Sequence, residues 1–321
     1  MTVSTRRVWR AAPATLTIVW IFTIVAAVSI PVLAYLIYSL EGDVWVPAVL
    51  GLLTLLTVLY SWRYGLHPHV RATDSEVVIR NPFRTHRFSW EDITLVAPGE
   101  NGLMIGSEEA QAEAWCIQKS NYATKRGRRT RSDRIVNELL DMLDAHDPPL
   151  EDAETGLRIR RARPDESRLL TRMERAASEA ELSHIFPPEQ YPYPNAAVLK
   201  RWRRLLRDRL TRVHIMELFD APVGFVAFDA DTLLHLGVVP HQTRRGYGSA
   251  LAEYAATEMF ARGVQAAHLW VLVDNTTARS FYASLRWQET DERRDCEFPP
   301  HPPMLQLVRR NPSAPRRSRI A

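Results

Sequence analysis

The chain has 321 residues, with 41 Lys+Arg against 37 Asp+Glu and a formal net charge of +4. Hydrophobic residues at 46% and charged residues at 24% exclude a chain that is disordered throughout, and the length suggests two globular domains. Cys116 and Cys296, the only two cysteines, exclude a disulfide framework or a thiolate metal site and fit a reducing compartment.

The mean hydropathy of −0.22 hides an uneven distribution. From Ala11 to Leu40 no residue carries a formal charge, and Ile18 to Ile37 is densest in apolar residues. A second uncharged stretch runs from Val44 to Trp62. A helix needs about 20 apolar residues to cross a bilayer. Pro31 and Pro47 interrupt the stretches, which spanning helices tolerate. Only Glu41-Gly42-Asp43 separates them, so a helical hairpin over 1–65 is predicted, with Trp45, Tyr60 and Trp62 at interfacial depth. Arg6, Arg7 and Arg10 precede the first span, Arg63 and Arg71 follow the second, and the connection is acidic. The positive-inside rule then puts both termini, and everything after the hairpin, in the cytoplasm of a cell-membrane protein. A cleaved signal peptide would have a much shorter apolar core.

Residues 66–147 read as short strands followed by a helix. Apolar residues alternate in Val77/Ile79, Phe88/Trp90 and Ile93/Leu95, and Leu103-Met104-Ile105 and Trp115-Cys116-Ile117 are further short runs. Asn81-Pro82 and Pro98-Gly99 are turn signals. Ile135, Leu139, Met142 and Leu143 form a helical stripe that Asp147-Pro148-Pro149 stops. In Val77–Pro82, Phe88–Ile93 and the segment Gln118–Asn121 with its basic continuation, this part resembles the bacterial PH-like domains that follow paired membrane spans. Lys125, Arg126, Arg128, Arg129, Arg131 and Arg134 form a basic cluster. It is a candidate contact for anionic lipid or a protein partner, and equally a solvated loop. Nucleic acid is not expected, because no aromatic residues interleave with the charges.

Residues 148–155 read as an acidic linker, 156–310 as an α/β domain, and 311–321 as a disordered basic tail. Strands are predicted at Leu157–Arg160, Val213–Phe219, Val223–Phe228, Leu233–Val238, His268–Val273 and Met304–Val308. Helices are predicted from about Arg163 to Glu181, Asn195 to Leu210, Gly246 to Arg262 with Gly263 as its cap, and Thr276 to Leu285. This alternation indicates a sheet with helices on both faces.

The informative run is Leu236 to Leu251. A strand ends at Pro240, and a basic turn with Gly246 and Gly248 leads into a helix. Glycines let the backbone take positive φ and approach a ligand, and helix-start amides favour an anion. Arg244 and Arg245 add positive charge, so the run fits a pyrophosphate cradle. A plain left-handed turn would use the same residues, and both the Walker lysine and the full dinucleotide fingerprint are missing.

Val238-Val239-Pro240 with Arg245-Gly246-Tyr247-Gly248, and Asn275, Ala278, Tyr282 and Leu285 downstream, resemble the coenzyme A loop and the following helix of the GNAT superfamily of N-acetyltransferases. Thr243 stands where that loop has its first Arg, with Arg244 supplying the charge. Arg286 and Trp287 stand where Gly and Phe are usual, so the helix end is expected to differ locally. The resemblance implies a GNAT fold with a mixed central sheet, acetyl-CoA as co-substrate, an amine acceptor and no metal. It implies a strand that splays at Val238 and Val239 to free a backbone N–H for the thioester carbonyl. The pyrophosphate would lie on the amides of Arg244, Arg245, Gly246, Gly248 and Ser249. Asn275 would bond the pantetheine arm or simply cap its helix. Tyr282 would protonate the thiolate, or be a packed aromatic.

No general base follows. Leu234 and Leu236 share the face of Val238 and cannot act, while period-2 geometry turns His235 to the other face. Glu217, Asp229 and Asp231 are alternatives, as is a water relay. Phe186, Tyr191 and Tyr193 lie between the first two helices of the domain, which the resemblance makes the acceptor wall, and either line an amine pocket or belong to an ordered proline-rich loop. Arg201, Arg203, Arg204, Arg207 and Arg209 follow, as an acid-binding, membrane-facing or solvated face. The reading is a membrane-anchored acetyltransferase. The alternative is a catalytically weak acyl-CoA sensor beside a PH-like binding domain.

Overall fold

The computed structural model describes residues 7–41, 44–99, 102–118, 130–146, 148, 150–152 and 154–312. It divides into two compact units, Met1–Asp147 and Pro148–Ala321. Most of the basic cluster, from Lys125 to Arg129, lies outside the described residues, as does the tail beyond Pro312.

In the first unit, strand β1 (Arg7–Trp9) precedes helices α1 (Pro13–Glu41) and α2 (Trp45–Ser61), which runs on into a π-helical turn, Trp62–Leu66. Both helices are long and apolar enough to cross a membrane. They turn large apolar side chains outward, Phe22 and Leu52 among them, as a lipid-facing helix does and a core helix does not. Strands β2 (His69–Ala72), β3 (Glu76–Arg80) and β4 (Thr85–Ser89) complete an antiparallel sheet in the order β1-β2-β3-β4. Strands β5 (Ile93–Pro98), β6 (Gly102–Ser107) and β7 (Gln111–Gln118) form a second sheet, and helix α3 (Arg131–His146) packs on it. Val70, Ile79, Phe88, Ile105, Ile117 and Leu139 meet between these layers.

Residues 1–65 read as a hairpin alone, yet Arg7–Trp9 within them pairs with β2, and Val8 lies opposite Arg71. Trp9 is buried in the sheet core and donates its indole N–H to Glu138 at 3.1 Å. The two apolar helices are therefore inserted between the first and second strands of one sheet, and both ends of the hairpin emerge beside it.

The second unit has an eight-stranded sheet. Strands β8 (Leu150–Asp152), β9 (Leu157–Arg161), β10 (Arg212–Leu218), β11 (Ala221–Phe228), β12 (Thr232–Val238), β13 (Ala266–Leu272), β14 (Gln288–Asp295) and β15 (Pro303–Arg310) take the order β14-β15-β13-β12-β11-β10-β9-β8. The pair β12–β13 is parallel and every other pair is antiparallel. Leu150–Asp152, in the expected linker, is an edge strand, and β14 has no counterpart in the sequence reading. The helices are α4 (Ser167–Glu181), α5 (Asn195–Leu205), α6 (Tyr247–Ala261) and α7 (Thr276–Ser284). Ala177 of α4 faces Gly237, and Trp202 of α5 faces His235. Leu251 of α6 faces Gly224, while Val238 and Phe281 lie around Gly248. Neighbouring residues of β12 point to opposite faces, so α4 and α5 cover one side of the sheet and α6 the other.

Candidate active site

The parallel pairing of β12 with β13 covers only Thr232 with His268 and Leu233 with Leu269. Beyond Leu233 the strands part, while β13 stays paired with β15 to Leu272 and β12 with β11 to Val238. A wedge therefore opens between adjacent strands. Val239 donates its N–H to Val223 on β11 at 2.9 Å. Alternation along an antiparallel pair then points the Val238 N–H the other way, into the wedge.

The chain leaves β12 through a short 3-10 turn, Pro240–Gln242. Arg244 has φ +60° and Gly246 φ +86°, two left-handed residues in close succession. Helix α6 starts at Tyr247, and its first intrahelical acceptor is Gly246, bonded by the Ala250 N–H at 2.9 Å. No side chain caps this end, which leaves the Tyr247, Gly248 and Ser249 amides without helix partners. A Cβ on Gly246 would meet nothing within 4 Å, so its positive φ rather than crowding is what favours glycine there. Gly248 differs from expectation. It has no positive φ, and a Cβ there would meet the Phe281 ring at 3.5 Å and Val238 at 3.7 Å, ordinary contact distances that do not by themselves demand glycine. These contacts place Phe281 of α7 and Val238 of β12 beside the start of α6.

Tyr282 is 8% exposed, and its ring meets Phe281 and Trp287 edge-on at 4.9 and 6.1 Å. Its hydroxyl makes no hydrogen bond to a described residue, and burial raises its pKa above the usual phenol value. The Asn275 side chain accepts the Ala278 N–H at 3.0 Å and so caps α7, leaving its amide nitrogen for any further contact. Arg286 takes the left-handed position in the glycine's place, with φ +65°. Trp287 N–H bonds to Tyr282 O at 3.1 Å and Arg286 N–H to Ala283 O at 3.0 Å, so the helix end keeps its Schellman geometry. The sequence had suggested a local difference there.

The base candidates fare differently. His235 lies under α5 against Trp202, ring centroids 5.3 Å apart, and burial with Arg201 and Arg204 pushes its pKa down to about 3. Glu217 is buried in an ion pair with Arg160, which also holds Glu166. Asp229 and Asp231 turn the chain at the far end of β12, where Asp229 accepts the Thr232 N–H at 2.9 Å. Six residues of strand, about 20 Å, separate that end from Val238.

Two loops border the α5 side. His184 reaches the Asp274 carbonyl at 3.3 Å, tying the α4–α5 connection to the start of α7. Arg201 binds Glu174 and Glu297 and lies over Phe298 at 5.7 Å, so it belongs to a clasp rather than a solvated face. Trp202 donates its indole N–H to Glu174 at 2.7 Å. Tyr193 is partly buried, and burial followed by the nearby Glu174 carboxylate raises its pKa. Glu297 could not be found from sequence, because nothing local links it to Arg201. Among the described residues, no group of His, Cys, Asp and Glu is placed to hold a metal ion.

Residues 173–286 match the model of the acetyltransferase (GNAT) family. The [ribosomal protein bS18]-alanine N-acetyltransferase of Escherichia coli K12 is 31% identical over 113 residues, 35% of this chain and 72% of that protein. The chain belongs to the GNAT acetyltransferase family. The Shigella flexneri protein of the same name matches equally. This GNAT chain also matches the bacterial PH domain model over residues 67–103. Among solved structures, the E. coli ribosomal-protein-S18-alanine N-acetyltransferase is 18% identical, covering 50% of this chain and 97% of its own, with a TM-score of 0.40. The PaiA N-acetyltransferase of Thermoplasma acidophilum, solved with coenzyme A, is 16% identical, covering 48% and 99%, with a TM-score of 0.40.

Proposed function

We propose that this GNAT N-acetyltransferase is anchored in a membrane by its two apolar helices and transfers the acetyl group of acetyl-CoA to a primary amine, with its catalytic unit in the cytoplasm. The observation that carries the reading is the wedge at Val238 opening directly onto the uncapped start of α6.

The diphosphate of the co-substrate would lie on the amides from Arg244 to Ser249, with Arg244 and Arg245 as cations and Gly246 leaving room for close approach. The Val238 N–H would bond the thioester oxygen and stabilise the negative charge that develops there. The Asn275 amide nitrogen is the group available to the pantetheine arm. As the amine nitrogen bonds to the carbonyl carbon, the carbon–sulfur bond breaks and Tyr282 gives its proton to the leaving sulfur. The phenol is neutral at pH 7 even without burial, and burial raises its pKa and makes it a weaker acid, so the role rests on the spacing shared with the family rather than on the pKa. The amine proton leaves through water, since none of the side chains considered as a base combines reach with a suitable pKa. The acceptor enters between the two loops tied by His184 and Arg201. The named activity of the curated relatives makes a protein N-terminal alanine the first acceptor to try.

The same shortage of a base favours a second reading, a coenzyme-binding module with little turnover beside a PH-like binding domain. Thiol release from acetyl-CoA, measured over amines and Ala-terminated peptides with native protein and Tyr282→Phe, separates the two. Turnover that depends on Tyr282 supports transfer. Coenzyme binding without turnover on any acceptor supports the module.

A further inference from the structure

The first unit contains a crevice of about 740 Å³ that acetyl transfer does not use. One wall is α1, from Ala12 through Ile18 to Phe22. Tyr60 and Tyr64 form the second wall, and Trp115 with Arg131 the third, where β7 ends and α3 begins. The lining is mostly apolar and, among the described residues, includes no Asp or Glu.

The polarity is graded along its length. At one end is the Arg131 guanidinium, which spends one N–H on the Arg10 carbonyl at 2.9 Å and has no carboxylate partner among the described residues. Asp133, the acid nearest it on α3, is held by the Thr130 N–H and hydroxyl, both at 2.7 Å. At the other end are Ile18 and Phe22. Ten residues of helix between Ala12 and Phe22 span about 15 Å. That is half of the roughly 30 Å hydrocarbon thickness, or one leaflet.

Aromatic rings mark the level of the polar end. Tyr60 stacks on Tyr64 at 4.3 Å, and Tyr64 meets Phe83 at 5.3 Å and Trp115 at 6.4 Å. Phe83 and Trp115 are 66% and 53% exposed. Such a collar suits the membrane–water boundary, where rings are half wet. An arginine fork at that level, without a neighbouring acid, matches a phosphodiester of net negative charge.

We infer that this crevice binds one anionic glycerophospholipid, with an acyl chain along Ile18 and Phe22 and its phosphate on Arg131. The inference rests on the membrane-anchored reading.

The test uses the full chain purified in detergent and titrated with phosphatidylglycerol or phosphatidylcholine, with bound lipid counted by native mass spectrometry. One phosphatidylglycerol per chain is expected, preferred about tenfold over phosphatidylcholine, the factor one charge-assisted contact supplies. Arg131→Gln removes the preference. Thr15→Trp, which fills the crevice, lowers occupancy by both lipids, while Leu52→Trp on the outward face of α2 changes neither. Equal binding of the two lipids, occupancy unaffected by both crevice variants, or displacement by glycerol 3-phosphate alone overturns the site. Flotation with phosphatidylcholine vesicles separates the two ideas. Protein that floats but shows no lipid preference overturns the crevice site and leaves the anchor standing. Protein that stays soluble without detergent and never floats overturns both.

Discussion

Tyr282→Phe removes a single oxygen, the proton donor of the proposed transfer. The ring packs against Phe281 and Trp287, and Phe keeps those contacts. The hydroxyl has no hydrogen-bond partner among the described residues, so no donor or acceptor is orphaned by its loss. Stability should therefore change by less than about 0.5 kcal/mol, and Tm by less than about 2 °C. Catalysis should respond far more. A positioned general acid contributes about 10²–10⁴ in rate, or about 3–5 kcal/mol of barrier. The assay is steady-state thiol release at saturating acceptor, alongside a thermal melt of the same preparation. kcat should fall by at least about a hundredfold, with KM for acetyl-CoA nearly unchanged. The native enzyme should also show no falling alkaline limb from this group up to pH ~10, since burial raises its pKa above the ordinary phenol value. A kcat within a few-fold of native, at unchanged Tm, would refute the assignment of Tyr282 as the acid.

Arg245→Glu should weaken coenzyme A binding about tenfold or more in calorimetry, the scale of one lost charge-assisted contact, with Tm unchanged because the side chain is exposed. Glu217→Ala leaves the partly buried Arg160 with one carboxylate instead of two, so the cost should approach about 3 kcal/mol in denaturant unfolding. A loss of rate at full stability would revive Glu217 as a base. His214 and His235 both have folded pKa values below the ordinary one, through burial first and neighbouring arginines second. The unfolded chain takes up protons near pH 6.5 that the folded chain refuses, so this stability is intact above pH 6.5. For His235 it is lost as pH falls from 6.5 toward about 3, at up to about 1.4 kcal/mol per pH unit, and His214 adds a loss in the same direction. A denaturation midpoint that stays flat from pH 7 to 5 rejects this. Arg286→Gly relieves a left-handed arginine that costs about 1–2 kcal/mol, partly offset by the freedom glycine adds to the unfolded chain, so Tm should rise by about 2 °C in a melt.

The strands from β10 to β13 were legible because each is an apolar run bounded by turn residues. Gln288–Asp295 was not, since it is a polar, largely exposed edge defined only by pairing with β15. Helix α5 ends at Leu205 rather than Leu210, because Asp208 bonds the Leu210 N–H and the Thr211 hydroxyl and pulls the chain into a turn. The turn after Pro240 and the helix that carries Tyr282 could be read because their residue spacing lies within short segments. The Arg201 clasp could not, because Glu297 sits 96 positions further along the chain. The base question also needed tertiary structure. Only packing reveals that Trp202 covers His235 and that Arg160 occupies Glu217.

The position of Arg7–Trp9 has a consequence for how the chain is made. Its partner strand is synthesised only after both apolar helices, so the sheet cannot close until the whole hairpin has left the ribosome. Trimming the helices away to obtain an easily handled fragment would also discard a strand and the Trp9 plug. The edge His69–Ala72 would then be bare and ready to pair with another copy.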